Sequence, residues 1–186
     1  MKTILVGNGP SLVGAKRGSL IDSFARIARF NNFRINGFEE DVGRRTDLWL
    51  THEGYLTEEL SWSQSFSQPE TWVLAPDLPR RRARMLASAR ASLPCVHLVS
   101  LVEARCISSA WDATAAPQSP DYVWPSTGIM AILLFKPCVI IGFDHFMTSS
   151  QHYWSKTISV DTYHSRERER DIVEALTQSR DVIRLG

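Results

Sequence analysis

The sequence predicts an α/β fold: one domain built on a doubly wound, mostly parallel twisted sheet flanked by helices. Three observations predict it. Short apolar runs of strand length recur along the chain, helical stretches separate them, and the first run ends in a turn of small residues. Ile4-Leu5-Val6 is that first run, in a strand expected at Thr3–Val6. Gly7-Asn8-Gly9-Pro10 then forces a turn, because Gly and Asn tolerate positive φ and Pro fixes its own. Further strands are expected at Ala25–Phe30, Asp47–Thr51, Thr71–Ala75, Cys95–Val99 and Cys138–Ile141, with Asp181–Leu185 as a last one. Helices are expected between them, at Ser19–Phe24, Tyr55–Leu60, Pro79–Ser92, Leu101–Trp111, Ser126–Phe135 and Ser165–Gln178. The stretch Asp112–Tyr122, with Pro117 and Pro120, reads as a loop or lid within the domain. No internal repeat or low-complexity tract interrupts residues 1–186, which read as a single domain.

Composition narrows the function classes. A formal net charge of +1 gives no global attraction for nucleic acid. The three cysteines, Cys95, Cys106 and Cys138, form no Cys-x-x-Cys pair and no metal-ligand spacing, so a reducing cytoplasm is expected and no metal site. No signal peptide is visible, and the longest apolar run, Ile129 to Phe135, is too short to cross a bilayer. A soluble, cytoplasmic protein is expected. The arginine-rich stretch Arg80–Arg90 reads as a solvated helix face; its other use would be a peripheral contact with anionic lipid.

Four segments carry chemistry. The opening turn lacks the glycine spacing of a dinucleotide fingerprint and the Gly-Lys-Ser/Thr of a P-loop. It reads either as a ligand loop at the carboxyl end of a strand or as an ordinary tight turn. In the second segment, Arg29-Phe-Asn31 ends a strand on a carboxamide able to donate to and accept from a ribose or a base. The third, Trp124-Pro-Ser-Thr-Gly128, leads into an apolar helix, whose start suits a phosphate or simply a Ser/Thr cap. The fourth holds His152-Tyr-Trp154 and then His164, with Glu169 five residues on. A histidine titrates near neutrality and suits general-base work, although one at a helix start also serves as a cap.

Taken in order, these segments resemble the four sialylmotifs of glycosyltransferase family 29, the animal-type sialyltransferases. Val6-Gly-Asn-Gly9, Ile21-Asp22, Arg29-Phe-Asn31 and Gly37-Phe-Glu-Glu-Asp-Val-Gly43 resemble the large motif. Pro125-Ser-Thr-Gly128 with Ile141-Gly-Phe143 resembles the small one, His152-Tyr-Trp154 the third, and His164 with Glu169 the His-x4-Glu of the very small one. The resemblance covers residues 3–53 and 122–176. It implies a Rossmann-like fold of the GT-A type. It also implies inverting, metal-independent transfer of sialic acid from CMP-sialic acid to a glycan hydroxyl, with no cofactor.

By motif position, the resemblance puts Asn8, Gly9, Asn31, Trp124, Ser126, Thr127, Gly128 and Tyr153 against the CMP of the donor. His152 is expected to stabilise the departing phosphate, His164 to act as general base, and Glu169 to support it. His52, Glu53 and Tyr55, after the third strand, are candidates for an acceptor wall. The alternatives are a transferase of another CMP-activated acid sugar such as Kdo, and a catalytically silent CMP- or glycan-binding protein of the same fold. Two departures stand out. Lys2 and Thr3 occupy the place where relatives carry a disulfide-forming cysteine of the large motif, and the His152-to-His164 interval is short. Together they suggest a minimal bacterial or viral form, whose acceptor is a glycan or a lipid-linked oligosaccharide at the inner face of a membrane.

Overall fold

The computed structural model describes residues 2–52, 70–74, 96–98, 111, 125–144, 152–155 and 164–186. Their strands are β1 (Thr3–Val6), β2 (Arg26–Phe30), β3 (Leu48–Thr51), β4 (Glu70–Val73), β5 (Val96–Leu98), β6 (Cys138–Ile141) and β7 (Val182–Arg184). All pair in parallel, in one sheet of order β5-β4-β3-β2-β1-β6-β7. β1 lies centrally, with Ile4 opposite Ile27 of β2 on one side and Val139 of β6 on the other. The fold is Rossmann-like: the chain steps outward from β1 to β5, then returns to the other side of β1 for β6 and β7.

Parallel sheets must be covered on both faces, and these strands are apolar on both. Alternation along β1 divides the core. Leu5 joins a cluster with Ala28, Phe30, Leu48, Leu50, Ile140 and the inner residues of two helices, Ile129, Met130 and Val173. Ile4 and Val6 face a second cluster with Leu12, Ile21, Ile27, Val42 and Tyr153. The first face is covered by α3 (Thr127–Phe135) and α4 (Arg166–Gln178), the second by α1 (Gly18–Asp22) and α2 (Glu39–Val42). α3 is apolar around its circumference, as expected of a helix buried on most sides. α4 turns Glu169, Val173 and its half-buried neighbours Ile172 and Leu176 inward, and sets the Arg168 guanidinium over the buried Trp111 ring at 4.0 Å.

Two elements differ from the sequence reading: a 3₁₀ turn at Pro10–Leu12, and α2. Each is a single turn, too short to show a 3.6-residue period. Carboxylates hold both in place: Asp41 of α2 accepts from the amides of Gly14 and Lys16, and Asp22 from those of Arg44 and Arg45. Arg29, wholly buried, binds the loop after α2 from beneath, donating to the carbonyls of Val42 and Arg45 and to the Thr46 hydroxyl. The expected helices at 55–60 and 79–92 lie outside the described residues, as do the Arg80–Arg90 stretch and the 112–122 loop; of the helix expected at 101–111, residue 111 is described and helical. Among the described residues no helix is long and apolar enough to cross a membrane.

Candidate active site

Because the strands are parallel, their carboxyl ends share one edge, and the chain changes direction at β1. The crevice of an open α/β sheet lies outside that edge, where the order reverses. Here the turns after β1 and β6 meet. The Gly7 amide donates to Ile141 O at 2.8 Å and the Gly9 amide to Gly142 O at 2.9 Å. A Cβ on Gly7 would run into the Gly142 carbonyl, and one on Gly9 into the Asp144 carboxylate. Only glycine lets the two backbones approach this closely. Asp144 also accepts from the amide and hydroxyl of Ser11, clamping the turns together.

Carboxamides gather beside this clamp. Asn8 donates through Nδ2 to Phe30 O at 3.2 Å, which sets its side chain on the end of β2. Asn31 follows with φ of 48°, a left-handed backbone that Asn tolerates, and its amide continues the ladder to Leu50 O. The Oδ1 atoms of Asn8, Asn31 and Asn32 are all buried without a hydrogen-bond donor.

The start of α3 faces the same edge. α3 has nine residues and β6 four, so each spans about 13 Å, and the helix begins level with the strand ends. Phe143 marks the junction: its ring meets Phe30 edge-on at 5.6 Å, and a Cβ on Gly128 would lie 3.0 Å from it. Ser126 caps the helix, accepting from Ile129 N at 3.3 Å. Its own amide and hydroxyl both donate to the Glu169 carboxylate, each at 2.8 Å. Glu169, 3 % exposed, therefore joins the start of α4 to the start of α3. The Ser126 hydrogen-bonding groups are committed to this joint, which leaves the first-turn amides of Thr127 and Gly128 as the donors at the positive end of the helix. His164, half-buried, stands two residues before α4.

The segment at His152 closes the far side. The Tyr153 amide donates to Asn8 O at 2.9 Å, so this segment lies on the opening turn. The Tyr153 hydroxyl donates to Arg34 O and accepts from Arg34 N, and its ring meets Phe38 and Trp154 edge-on. His152 stacks on Trp154 at 4.7 Å. Tyr153 thus braces the segment on which His152 sits. Burial pushes its phenol up to about 12. In the unfolded chain it ionises near 10, so its stabilisation is complete below pH 10 and is lost as pH rises toward 12. Tyr153→Phe should cost on the order of 1–2 kcal/mol at pH 8. The gap from wild type should narrow between pH 10 and 12; a constant gap in melts across that window would contradict this placement.

Of the other candidates, His52 follows β3 at the same edge and is half-buried, while Trp124, Glu53 and Tyr55 lie outside the described residues. Among the described residues no group of three His, Cys, Asp or Glu side chains could hold a metal ion.

Comparison with known proteins finds similarity to sialyltransferases. Residues 2–77 match the model of glycosyltransferase family 29 (sialyltransferase). The amino-terminal part of the chain is similar to the sialyltransferases of family 29. The human CMP-N-acetylneuraminate-beta-1,4-galactoside alpha-2,3-sialyltransferase is 41 % identical over 75 residues, covering 40 % of this chain and 19 % of that protein. The human type 2 lactosamine alpha-2,3-sialyltransferase is 26 % identical over 99 % of this chain and 64 % of that protein. The chain thus spans less than two thirds of the length of these curated relatives. Among solved structures, the sialyltransferase CST-II of Campylobacter jejuni, in complex with a trisaccharide acceptor and CMP, shares the fold with a TM-score of 0.61 at 13 % identity, over 100 % of this chain and 81 % of that one.

Three features escaped the sequence reading: the Asp144 clamp, the Tyr153 brace and the Asn32 oxygen. Asp144 directly follows Ile141-Gly-Phe143, and Asn32 directly follows Asn31. Their polarity beside expected turns was the available signal.

Proposed function

We propose that the chain transfers sialic acid from CMP-sialic acid to a glycan hydroxyl, with inversion and without a metal ion. The observation that supports this reading is the convergence of all four motif segments on one edge, through Asn8 with Tyr153, Ser126 with Glu169, and Gly9 with Gly142. The acceptor oxygen attacks the anomeric carbon of the sugar and the bond from that carbon to the phosphate oxygen breaks. His164 takes the proton that the hydroxyl loses as it attacks. The electron pair leaves with CMP, whose phosphate gains charge. The Thr127 and Gly128 amides and His152 are the groups assigned to meet that charge. Asn8 and Asn31 hold the nucleoside. A monophosphate leaving group carries less charge than a diphosphate and needs no bridging cation.

The test offers CMP-Neu5Ac and CMP-Kdo separately, each with a galactoside acceptor, and follows CMP release in excess EDTA and in added magnesium. Release from CMP-Neu5Ac at the same rate in both media is expected. Release from CMP-Kdo alone would change the donor, and activity lost on chelation and restored by a divalent ion would overturn the metal-free mechanism. Release from neither donor, with CMP still bound, would leave a silent binding protein.

A further inference from the structure

The carboxamides at the ends of β1 and β2 include one that the family motifs do not use. Asn32 sits in the turn closed by the Phe33 amide on Phe30 O, at 3.1 Å. Its Oδ1 is buried and has no donor, like the Oδ1 atoms of Asn8 and Asn31. Burying an acceptor without a partner is unfavourable, and three stand at the ends of β1 and β2. The Asn8 Nδ2 bonds Phe30 O, which sets that carboxamide at the end of β2. All three unmet groups are acceptors, so what completes the corner must bring hydrogen-bond donors. The Glu169–Ser126 joint and the Asp144–Ser11 clamp have their polar atoms matched, so the unmet demand lies at the β1–β2 side of the edge.

We propose that Asn32 is a third nucleotide-reading residue, its Oδ1 accepting from a donor group of the nucleoside: a ribose hydroxyl or the cytosine amine. This rests on the reading that the edge binds CMP. A nucleoside monophosphate suits the corner because its donors lie on the sugar and base, at the end away from the phosphate. The phosphate then turns toward the start of α3, while the sugar and base turn toward β2. Asn32 adds discrimination by leaving an unmatched acceptor opposite any nucleotide that lacks the donor.

The experiment is calorimetric titration of CMP, 2′-deoxy-CMP and UMP into wild type, Asn32→Ala and Asn32→Leu, beside a thermal melt of each protein. Wild type should prefer CMP to at least one analogue. The variants should bind CMP about three- to tenfold more weakly, the value of one neutral hydrogen bond, and should lose that preference. Loss of the preference over 2′-deoxy-CMP assigns the 2′-hydroxyl, and loss of the preference over UMP assigns the cytosine amine. Variants that bind CMP as wild type does but melt at lower temperature would show that Oδ1 serves an internal water, and the proposal fails. If neither variant folds, the wild-type series still decides: equal affinity for all three ligands overturns the proposal. Wild type that binds no CMP at all removes the functional reading itself, an outcome distinct from failure at Asn32.

Discussion

His164→Ala is expected to slow transfer by about 10²–10⁴-fold, the range over which a positioned general base acts, while CMP affinity stays close to wild type. The two readouts separate because the base touches the acceptor proton, which develops its bond to nitrogen only as the hydroxyl attacks. His164 stands just before α4, whereas the amides assigned to the phosphate belong to the start of α3. Its loss therefore leaves the nucleotide's own contacts in place. Single-turnover transfer from CMP-Neu5Ac, with CMP titrated in parallel, is the measurement. Wild-type turnover in the variant would remove His164 from the mechanism, and a matching fall in CMP affinity would make it a nucleotide contact.

Glu169→Ala is expected to cost about 2–4 kcal/mol of stability, because two hydrogen bonds to a buried carboxylate disappear and the Ser126 amide and hydroxyl are left without an acceptor. Unlike His164→Ala, it should also weaken CMP binding, since the α3 start loses what fixes it relative to α4. Glu169→Gln keeps one oxygen for the Ser126 amide and can turn its Nε2 toward the Ser126 oxygen. It should fall between wild type and alanine in urea unfolding and in CMP affinity. An alanine variant as stable as wild type would show that the Ser126 cap stands without Glu169.

How legible the molecule was follows from the range over which each feature is encoded. β1 and β6 coincide with their expected bounds because each is an unbroken apolar run stopped by glycine, a local pattern with one physical meaning. The doubly wound order followed from the alternation of such runs with helices. α2 and the turn at Pro10–Leu12 were not readable, since one turn shows no period and their hold comes from Asp41 and neighbouring backbone. The site divides in the same way. Asn8, Asn31 and the residues at the α3 start stand beside turn or cap signals and could be picked out singly. The Ser126–Glu169 joint spans 43 positions, and no local spacing announces it. The spacing His-x4-Glu drew attention to Glu169, and the structure sets its carboxylate on Ser126. The Tyr153 hydroxyl likewise reaches the Arg34 backbone, 119 positions away, with no local signal.

The central place of β1 has a consequence for biosynthesis. β1 is made at the start of this stretch, yet its partner on one side, β6, begins only at Cys138. At about 5–20 residues per second, translation delivers β6 on the order of ten seconds later. Through that interval one edge of β1 has no strand beside it, and the Gly7 and Gly9 amides lack the carbonyls they finally meet. The clamp between the turns after β1 and β6 is thus among the last parts of the molecule to be assembled. A ribosome-bound chain halted before β6 should carry β1 to β5 in register and bind no CMP, and it should offer chaperones an apolar strand edge that the finished protein hides.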